Sequence, residues 1–301
     1  MSKIVVIASQ GQLGSLLLRH LRARGEEAVG VDRDICDLSC PASIQRLFQR
    51  FPAVEVIFNA GAFTAVDLAE ERRREAFRVN ALGPAYLASR CRARGVKLVH
   101  FSTDYVFGEG HREPIAEEVE PMPLSVYGRS KLLGEQLAMQ YHPEVVILRT
   151  CGLYSAHRPN FVRTLVKAAL EGRELNVVDD QRVAPTSADA LAQLAIEIAR
   201  TEESGLFHAT ASGECSWYEF AGVIFKELGM EVSLKPVDST QWKASARRPE
   251  YSVLDNSLLR EAGLDTLRKW DVELREFLSR HGKEIVEELM PRRECENRAA
   301  E

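Results

Sequence analysis

Short apolar segments rich in Val, Ile and Phe alternate with longer amphipathic segments along the first half of the chain. A short buried run is typical of a strand in a parallel sheet, and an apolar stripe at helical spacing is typical of a surface helix. The expected strands are Lys3–Ile7, Glu27–Val31, Val54–Asn59, Lys97–Ser102 and Glu144–Arg149. The expected helices are Leu13–Arg24, Pro41–Phe51, Ala65–Asn80 and Val126–Gln140. This alternation predicts an α/β fold with a doubly wound parallel sheet, which binds ligands at the carboxyl ends of its strands.

The second half of the chain is less regular. Its expected elements are helices at Asn160–Glu171, Ser187–Arg200 and Ser216–Leu228 and strands at Leu175–Val178 and Leu206–Ala209. Ser216 stands three residues before Glu219, which is the spacing of a capping box at a helix start. We therefore expect a main unit of residues 1–150 plus about 187–209, and a smaller, partly discontinuous C-terminal lobe. The lobe would comprise about 151–186 and 210–290, followed by a charged tail at 291–301 that we expect to be disordered.

The composition excludes several classes of protein. The formal net charge is -5 and the pI is near 5.9, so binding to nucleic acid is not expected. No apolar run approaches the roughly 18 residues of a membrane-spanning helix, and the N-terminal segment does not resemble a signal peptide. We expect a cytoplasmic protein without a membrane partner. The six cysteines are scattered without a CxxC pair, which favours reduced thiols and no metal site.

The first expected strand runs into a helix through a turn that contains glycines. Strand, glycine turn and helix form the context of a Rossmann dinucleotide site, in which the free N–H groups of the helix start hold the diphosphate. A purely structural turn is the alternative. Asp32 ends the second strand, where a carboxylate can bind a ribose hydroxyl, and this favours an NAD(P)-binding Rossmann domain. Arg33 could instead pair with a 2′-phosphate, which leaves NADH and NADPH open, and Asp37 with Leu38 could flank the adenine.

A second candidate site lies on the last expected helix of the first half. Tyr127 and Lys131 are four residues apart and therefore share one helix face. A cation beside a phenol favours the phenolate, so we expect Lys131 to lower the pKa of Tyr127 and to make it a usable proton donor. Thr103, just past a strand, could bind the same substrate oxygen, with a role as a cap or turn residue as the alternative.

Longer stretches around these residues match a known pattern. They are GQLG at Gly11–Gly14, NAGAFTAVDLAE at Asn59–Glu70, FSTDYVFGEG at Phe101–Gly110, VYGRSKLLGE at Val126–Glu135, LRT at Leu148–Thr150, NFVRTL at Asn160–Leu165, DQRVAPT at Asp180–Thr186, SGECSWYEFA at Ser212–Ala221 and ARRPEYSVLDNS at Ala246–Ser257. From Lys3 to about Leu264, the chain resembles the dTDP-4-dehydrorhamnose reductase family of extended short-chain dehydrogenases.

The resemblance implies reduction of the 4-keto group of a nucleotide-linked deoxysugar, dTDP-4-dehydro-L-rhamnose, to dTDP-L-rhamnose. The expected cofactor is NADPH, with NADH open, and the expected catalytic residues are Thr103, Tyr127 and Lys131. The expected cofactor contacts are Gly11, Gln12, Leu13, Gly14, Asp32, Arg33, Asp37, Leu38, Ala60, Ala62, Phe63, Thr64, Tyr127 and Lys131. The expected substrate contacts are Thr103, Asp104, Tyr127, Gly152, Asn160 and Arg248. Beyond the resemblance, we infer that Arg248, or Arg247 beside it, would hold the diphosphate through a bidentate fork, with an arginine on the protein surface as the alternative.

Three positions depart from the family pattern. Ala8 and Val183 stand where the family carries glycine, and Gly152 stands where it carries a Trp against the substrate sugar. The missing ring removes an apolar contact, so another aromatic side chain should replace it. The candidates nearest in sequence to the expected site are Tyr105, Phe63 and Tyr154. Trp217, Tyr218 and Phe220 are instead expected to pack in the core of the lobe.

Three other functions stay open. Gly152 favours a different nucleotide-linked ketosugar, which an assay over several ketosugar nucleotides would identify. A non-catalytic subunit like the regulatory β subunit of methionine adenosyltransferase resembles the same family, but the intact trio speaks against it. A sugar-nucleotide epimerase uses the same trio and keeps its NAD, and the motifs above speak against that function. The sequence does not set the oligomeric state, and a homodimer is compatible with it.

Overall fold

The computed structural model describes residues 3–241 and 244–290. Within them the strands are β1 (Ile4–Ile7), β2 (Ala28–Val31), β3 (Val56–Asn59), β4 (Lys97–Thr103), β5 (Val146–Thr150), β6 (Leu175–Val178), β7 (Arg182–Val183), β8 (Gly205–His208), β9 (Cys215–Ser216) and β10 (Leu234–Val237). Six of them form one parallel sheet in the order β2-β1-β3-β4-β5-β8. This confirms the predicted doubly wound parallel sheet.

Helices cover both faces of this sheet. They are α1 (Gln12–Ala23), α2 (Pro41–Arg50), α3 (Val66–Glu71), α4 (Arg73–Phe77), α5 (Gly83–Arg92), α6 (Val126–Tyr141), α7 (Phe161–Leu170), α8 (Ala188–Ile198), α9 (Trp217–Leu228), α10 (Ser257–Glu261) and α11 (Trp270–Leu289). Alternate strand residues face opposite ways, so Val6 joins the core under α1 and α8, whereas Val5 joins the core under α2 and α5. Burial on both faces explains why the strand sequences are almost continuously apolar.

The expected helix Ala65–Asn80 is interrupted in the structure. It consists of α3, α4 and a π-helical segment, Arg78–Leu82, which leads directly into α5. Helix α5 was not predicted, because Gly83 and Pro84 look like a break, yet proline is tolerated in the first turn of a helix. The long helix α11 was not predicted either.

The smaller lobe packs beside the carboxyl edge of the sheet. Strand β6 pairs with β10, β7 pairs with β9, and α7, α9 and α11 enclose a core that contains Phe220 and Phe277. The chain enters this lobe after β5, returns to the main sheet through α8 and β8, and enters the lobe again at β9. This path agrees with a discontinuous lobe, while the domain boundaries themselves stay a prediction. The expected disordered tail, 291–301, lies outside the described residues.

Candidate active site

The glycine turn joins β1 to α1 at the carboxyl edge of the sheet. A Cβ at Gly14 would lie 2.1 Å from the carbonyl oxygen of Ala8, so only glycine allows this close approach of helix and turn. Ala8 itself has a φ of 59°, and it therefore takes the strained left-handed conformation in place of the expected glycine. The turn keeps its shape in spite of this substitution, since the N–H of Gly11 still donates to the Ala8 carbonyl at 2.9 Å.

The start of α1 suits a dinucleotide diphosphate. Gly11 is its N-cap and gives no side-chain hydrogen bond, and the first turn contains no acidic residue. The N–H groups of the first turn are therefore available to a phosphate, which the helix dipole also favours. The Gln12 side chain points elsewhere: it donates to the carbonyl of Leu153 at 3.2 Å and accepts from Ser155 at 2.9 Å.

The carboxylate of Asp32 holds the glycine turn. It accepts a hydrogen bond from the Ser9 hydroxyl at 2.7 Å and one from the backbone N–H of Gln10 at 3.1 Å. Arg33 is 74% exposed, and its Nε lies 3.4 Å from the carboxylate of Asp37. Asp32 thus has a structural role in addition to the expected ribose contact. It stays a prediction that a cofactor contacts this part of the chain through Asp32, Arg33, Asp37 and Leu38.

The segment that contains Ala60, Ala62, Phe63 and Thr64 follows β3 and is fixed by one buried side chain. Asn80 accepts from the N–H of Phe63 at 2.7 Å and donates to the Phe63 carbonyl and to the Ser130 hydroxyl, each at 3.0 Å. Ser130 in turn donates to the carbonyl of Tyr127 at 2.7 Å. Sequence reasoning missed Asn80, whose side chain is presented by a π-helical turn, a feature often found at functional sites.

Helix α6 carries Tyr127 and Lys131 at the carboxyl edge of the sheet. Lys131 is 2% exposed, and its ammonium donates to the Phe101 carbonyl at 2.6 Å. Burial lowers the pKa of Lys131 to about 8, although Glu135 acts in the opposite direction. Burial also raises the pKa of Tyr127 to about 12, against the contact with Thr103, which lowers it. The expectation that Lys131 lowers the pKa of Tyr127 was therefore wrong, because desolvation dominates at this site.

A buried ion pair anchors the same helix to the sheet. Arg149 on β5 binds the carboxylate of Glu135 through three hydrogen bonds, the shortest of 2.7 Å, and the side chains are 4% and 0% exposed. The Arg149 guanidinium also lies 5.0 Å from the centre of the Phe107 ring. Removal of either charge would leave the other buried without a partner, which is costly. The pair therefore fixes α6, and with it Tyr127 and Lys131.

Thr103 and Asp104 end β4 beside this helix. The Thr103 hydroxyl donates to Asp104 at 2.9 Å and accepts from the N–H of Tyr105 at 3.2 Å, so Thr103 does cap a short turn. Asp104 is buried, and this burial raises its pKa. Thr103 is paired in register with Thr150 of β5, which places the segment after Thr150 next to the expected reaction centre.

A cavity of about 620 Å³ opens between this edge and the lobe. Among its lining residues are Tyr105, Phe161, Gln181, Trp217, Arg247 and Arg248. Tyr127 is not among these lining residues, but its ring lies 5.9 Å from the ring of Tyr105, which does line the cavity. Arg248 is half-buried and binds Asp67 at 2.8 Å, whereas Arg247 is exposed and pairs with Glu109. Both arginines line the cavity, and the contact of Arg248 with a diphosphate stays a prediction.

Asn160, an expected substrate contact in the lobe, caps a helix beside the cavity. Asn160 caps α7: it accepts from the N–H of Arg163 and donates to the carbonyls of Ser155 and Arg158. Its neighbour Phe161 lines the cavity, whereas Asn160 is not among the described lining residues. Val183 lies in β7, where a strand conformation suits Val without strain.

The aromatic residues near Gly152 differ from expectation. Tyr154 is buried between Phe220 and Phe277 in the lobe core, and Phe63 packs in the cluster that contains Tyr127. Tyr105 does line the cavity. Trp217 packs against the lobe core as expected, but it is only half-buried and lines the cavity as well, which the sequence did not predict.

No metal site was expected. In the part of the chain that the structure describes, the exposed side chains of His157, Glu284 and Glu288 are the group with ligand atoms within 4.8 Å of one another. The described cysteines are free thiols, and Cys295 lies outside the described residues. None of the described helices is long and apolar enough to cross a membrane.

Comparisons with known proteins agree with this architecture. Residues 2–282 match the RmlD substrate binding domain family. A dTDP-4-dehydrorhamnose reductase of Streptomyces griseus is 38% identical, over 90% of this chain and 91% of that protein. A dTDP-4-keto-6-deoxy-D-glucose reductase of Streptomyces niveus is 36% identical, over 90% and 94%.

A solved structure has the same fold. The dTDP-4-dehydrorhamnose reductase of Bacillus anthracis in complex with NADP superimposes with a TM-score of 0.89 at 33% identity, over 93% of this chain and 100% of that one. Nearly the full length of each relative is covered. The chain therefore belongs to the RmlD substrate binding domain family, which confirms the family that its motifs resemble.

Proposed function

We propose that this protein reduces the 4-keto group of a dTDP-linked 6-deoxysugar with NADPH. The observation that carries the proposal is that Tyr127 and Lys131 lie on one helix beside Tyr105, which lines a cavity of about 620 Å³, while α1 begins without a side-chain cap after β1 of the same sheet. The helix start fits a dinucleotide, and the cavity is large enough for a nucleotide sugar. The relatives named above act on such sugars, and one binds NADP.

In this reaction a ketone, a hydride and a proton combine to an alcohol. Bound NADPH supplies the hydride to the carbonyl carbon. Tyr127 donates its proton to the carbonyl oxygen, and its raised pKa keeps the phenol protonated at neutral pH. Thr103 turns its hydroxyl from Asp104 to the same oxygen and stabilises the developing charge. The Lys131 ammonium stabilises the phenolate that remains and orients the nicotinamide ribose.

The favoured substrate is dTDP-4-dehydro-L-rhamnose, with dTDP-L-rhamnose as product. A different dTDP-linked ketosugar is the alternative, supported by relatives that are named for different sugars. A further reason to keep this alternative is that Gly152, where the resemblance leads us to expect Trp, lies against Trp217, which lines the cavity. A non-catalytic subunit or an epimerase would not consume NADPH in step with the sugar. A homodimer in the cytoplasm completes the proposal.

The test is a spectrophotometric assay of NADPH oxidation with a panel of dTDP-linked 4-keto-6-deoxyhexoses. We expect turnover with at least one of them, slower turnover with NADH, and one alcohol formed for each NADPH consumed. NADPH binding without oxidation on every sugar would point to the non-catalytic subunit. An interconversion of sugars without net NADPH loss would point to an epimerase.

A further inference from the structure

The edge of the Trp217 ring reaches the backbone of the segment that follows β5. Gly152 has a φ of 53°, and a Cβ built on it would lie 3.0 Å from Cη2 of Trp217 and 3.3 Å from Cα of Pro185. The ring therefore fills the space that a side chain at residue 152 would take. Since Thr150 is in register with Thr103, the tip of this ring lies close to the sheet edge that carries the catalytic residues.

Trp217 also faces the cavity. It is half-buried and lines the cavity together with Tyr105 and Phe161, whereas Phe220, one turn further along α9, is fully buried. The Phe161 ring supports it from one side, with the ring centres 4.7 Å apart. Within residues 3–241 and 244–290 its indole N–H has no acceptor, while Trp270 donates its own to the Glu214 carbonyl. Trp217 thus presents an apolar surface and a free donor to whatever fills the cavity.

The local fold holds this ring in place. Trp217 is the first residue of α9, directly after Ser216, whose side chain and backbone form a complete capping box with Glu219. Glu219 is bound in addition by Arg182 at 2.6 Å. Strand β9 immediately before the ring pairs with β7, in which Val183 is opposite Cys215. A ring that is fixed in this way loses little conformational entropy when it binds a ligand.

We propose that Trp217 forms the apolar wall against the sugar ring of the substrate and thereby determines which deoxysugar is accepted. This inference rests on the proposed function, since it assigns Trp217 a contact with the sugar of the proposed substrate. For Tyr127 to act on it, the sugar must lie in the part of the cavity nearest Tyr105 and Tyr127. The tip of the Trp217 ring lies against residue 152, two residues after Thr150, which is in register with Thr103. An apolar face of a 6-deoxysugar, which ends in a methyl group, suits an indole surface.

The test compares Trp217→Ala and Trp217→Phe with Tyr218→Ala. Tyr218 is the next residue of α9, is half-buried like Trp217, and is not among the described residues that line the cavity. Calorimetry would measure binding of dTDP-L-rhamnose, of dTDP alone and of NADPH, and the assay above would give kcat and KM. We expect Trp217→Ala to weaken dTDP-L-rhamnose binding and to raise KM by about tenfold. Binding of dTDP and NADPH should change less than about twofold, and Trp217→Phe should be intermediate.

The binding measurements distinguish a sugar contact of Trp217 from a nucleotide contact and from a purely structural role. An equal loss of affinity for dTDP alone would place the ring against the nucleotide and overturn the inference. Equal effects of Trp217→Ala and Tyr218→Ala would show a purely structural role and also overturn it. If Trp217→Ala does not fold, Trp217→Phe gives the same comparison with the packing retained. Wild-type binding of dTDP-L-rhamnose without turnover of any ketosugar contradicts the proposed function, and the binding series still decides the inference.

Discussion

On the sheet side of the cavity, Tyr127 and Lys131 stand four residues apart on one helix, whereas on the lobe side Phe161, Trp217 and Arg248 come from three separate segments. The sheet side is fixed by buried groups, among them the Arg149–Glu135 ion pair. The lobe side is joined by half-buried and exposed contacts such as Arg248 with Asp67. The contacts that hold the sheet side are thus more deeply buried than those that hold the lobe side.

The two sides also use the left-handed backbone region in opposite ways. Ala8 bears a φ of 59° in the glycine turn, and Gly152 bears a φ of 53° in the segment after β5. The resemblance leads us to expect glycine at the first position and Trp at the second. On the sheet side the chain accepts strain to keep the shape of the turn. On the lobe side a glycine takes this conformation without strain, and the Trp217 ring fills the space beside it.

Loss of the phenol should have the largest effect. We expect Tyr127→Phe to lower kcat by roughly 10²–10⁴, since the general acid is removed, and to leave NADPH affinity nearly unchanged. NADPH oxidation and fluorescence titration measure the two quantities. Tyr141→Phe, exposed at the end of the same helix, is the matched control and should behave as wild type. Near-normal turnover of Tyr127→Phe would remove this residue from the mechanism.

The buried ion pair should matter far more to stability than an exposed one. Arg149→Met leaves the Glu135 carboxylate buried without its partner, so we expect a loss of about 3–5 kcal/mol in the free energy of unfolding. The exposed pair of Arg92 and Glu144 provides the control, and Arg92→Met should cost about 0–1 kcal/mol. Urea unfolding measures both. If the free energy of unfolding fell by a similar amount in both variants, the buried pair would stabilise the protein no more than the exposed one.

The pH dependence of kcat/KM should report Lys131. Its ammonium is needed for the reaction and has a pKa of about 8, so activity should fall as the pH rises through that value, by about tenfold per unit above it. Tyr127, with a pKa of about 12, stays protonated throughout this range. Arginine stays protonated over this range, so Lys131→Arg should show no fall in kcat/KM above pH 8, even if its activity is lower at every pH. If kcat/KM of Lys131→Arg still fell above pH 8, the titrating group would not be Lys131.

The sequence predicted the sheet side better than the lobe side, and the reason is physical. The spacing of Tyr127 and Lys131 fixes their common helix face without any tertiary information. The place of Trp217 depends on how far α9 lies from Gly152, which no local pattern records, so the residue looked like a core aromatic beside Phe220. The pKa of Tyr127 was predicted in the wrong direction because a cation nearby is visible in the sequence and desolvation is not.

The smallest expected effects come from substitutions at two positions with a positive φ, Ala8 and Gly152, and the two changes in stability should differ in sign. Ala8→Gly relieves about 1–2 kcal/mol of backbone strain, while the freer glycine chain in the unfolded state takes back about 0.4–1 kcal/mol. A net gain of about 0 to 1.6 kcal/mol follows. Gly152→Ala introduces the same strain and adds a methyl group 3.0 Å from the Trp217 ring, so a loss of about 1–2 kcal/mol is expected.

Calorimetric Tm values of both variants, with and without NADPH, measure these differences, and each kcal/mol should correspond to about 2 °C in a chain of this size. Gly152→Ala should also raise KM for the dTDP sugar, because the methyl group displaces the ring edge, whereas Ala8→Gly should leave that KM unchanged. If both variants lost stability, Ala8 would not be strained in solution. If Gly152→Ala kept its Tm and its KM, the Trp217 ring would not lie against residue 152. The contrast drawn here between the sheet side and the lobe side would then fail.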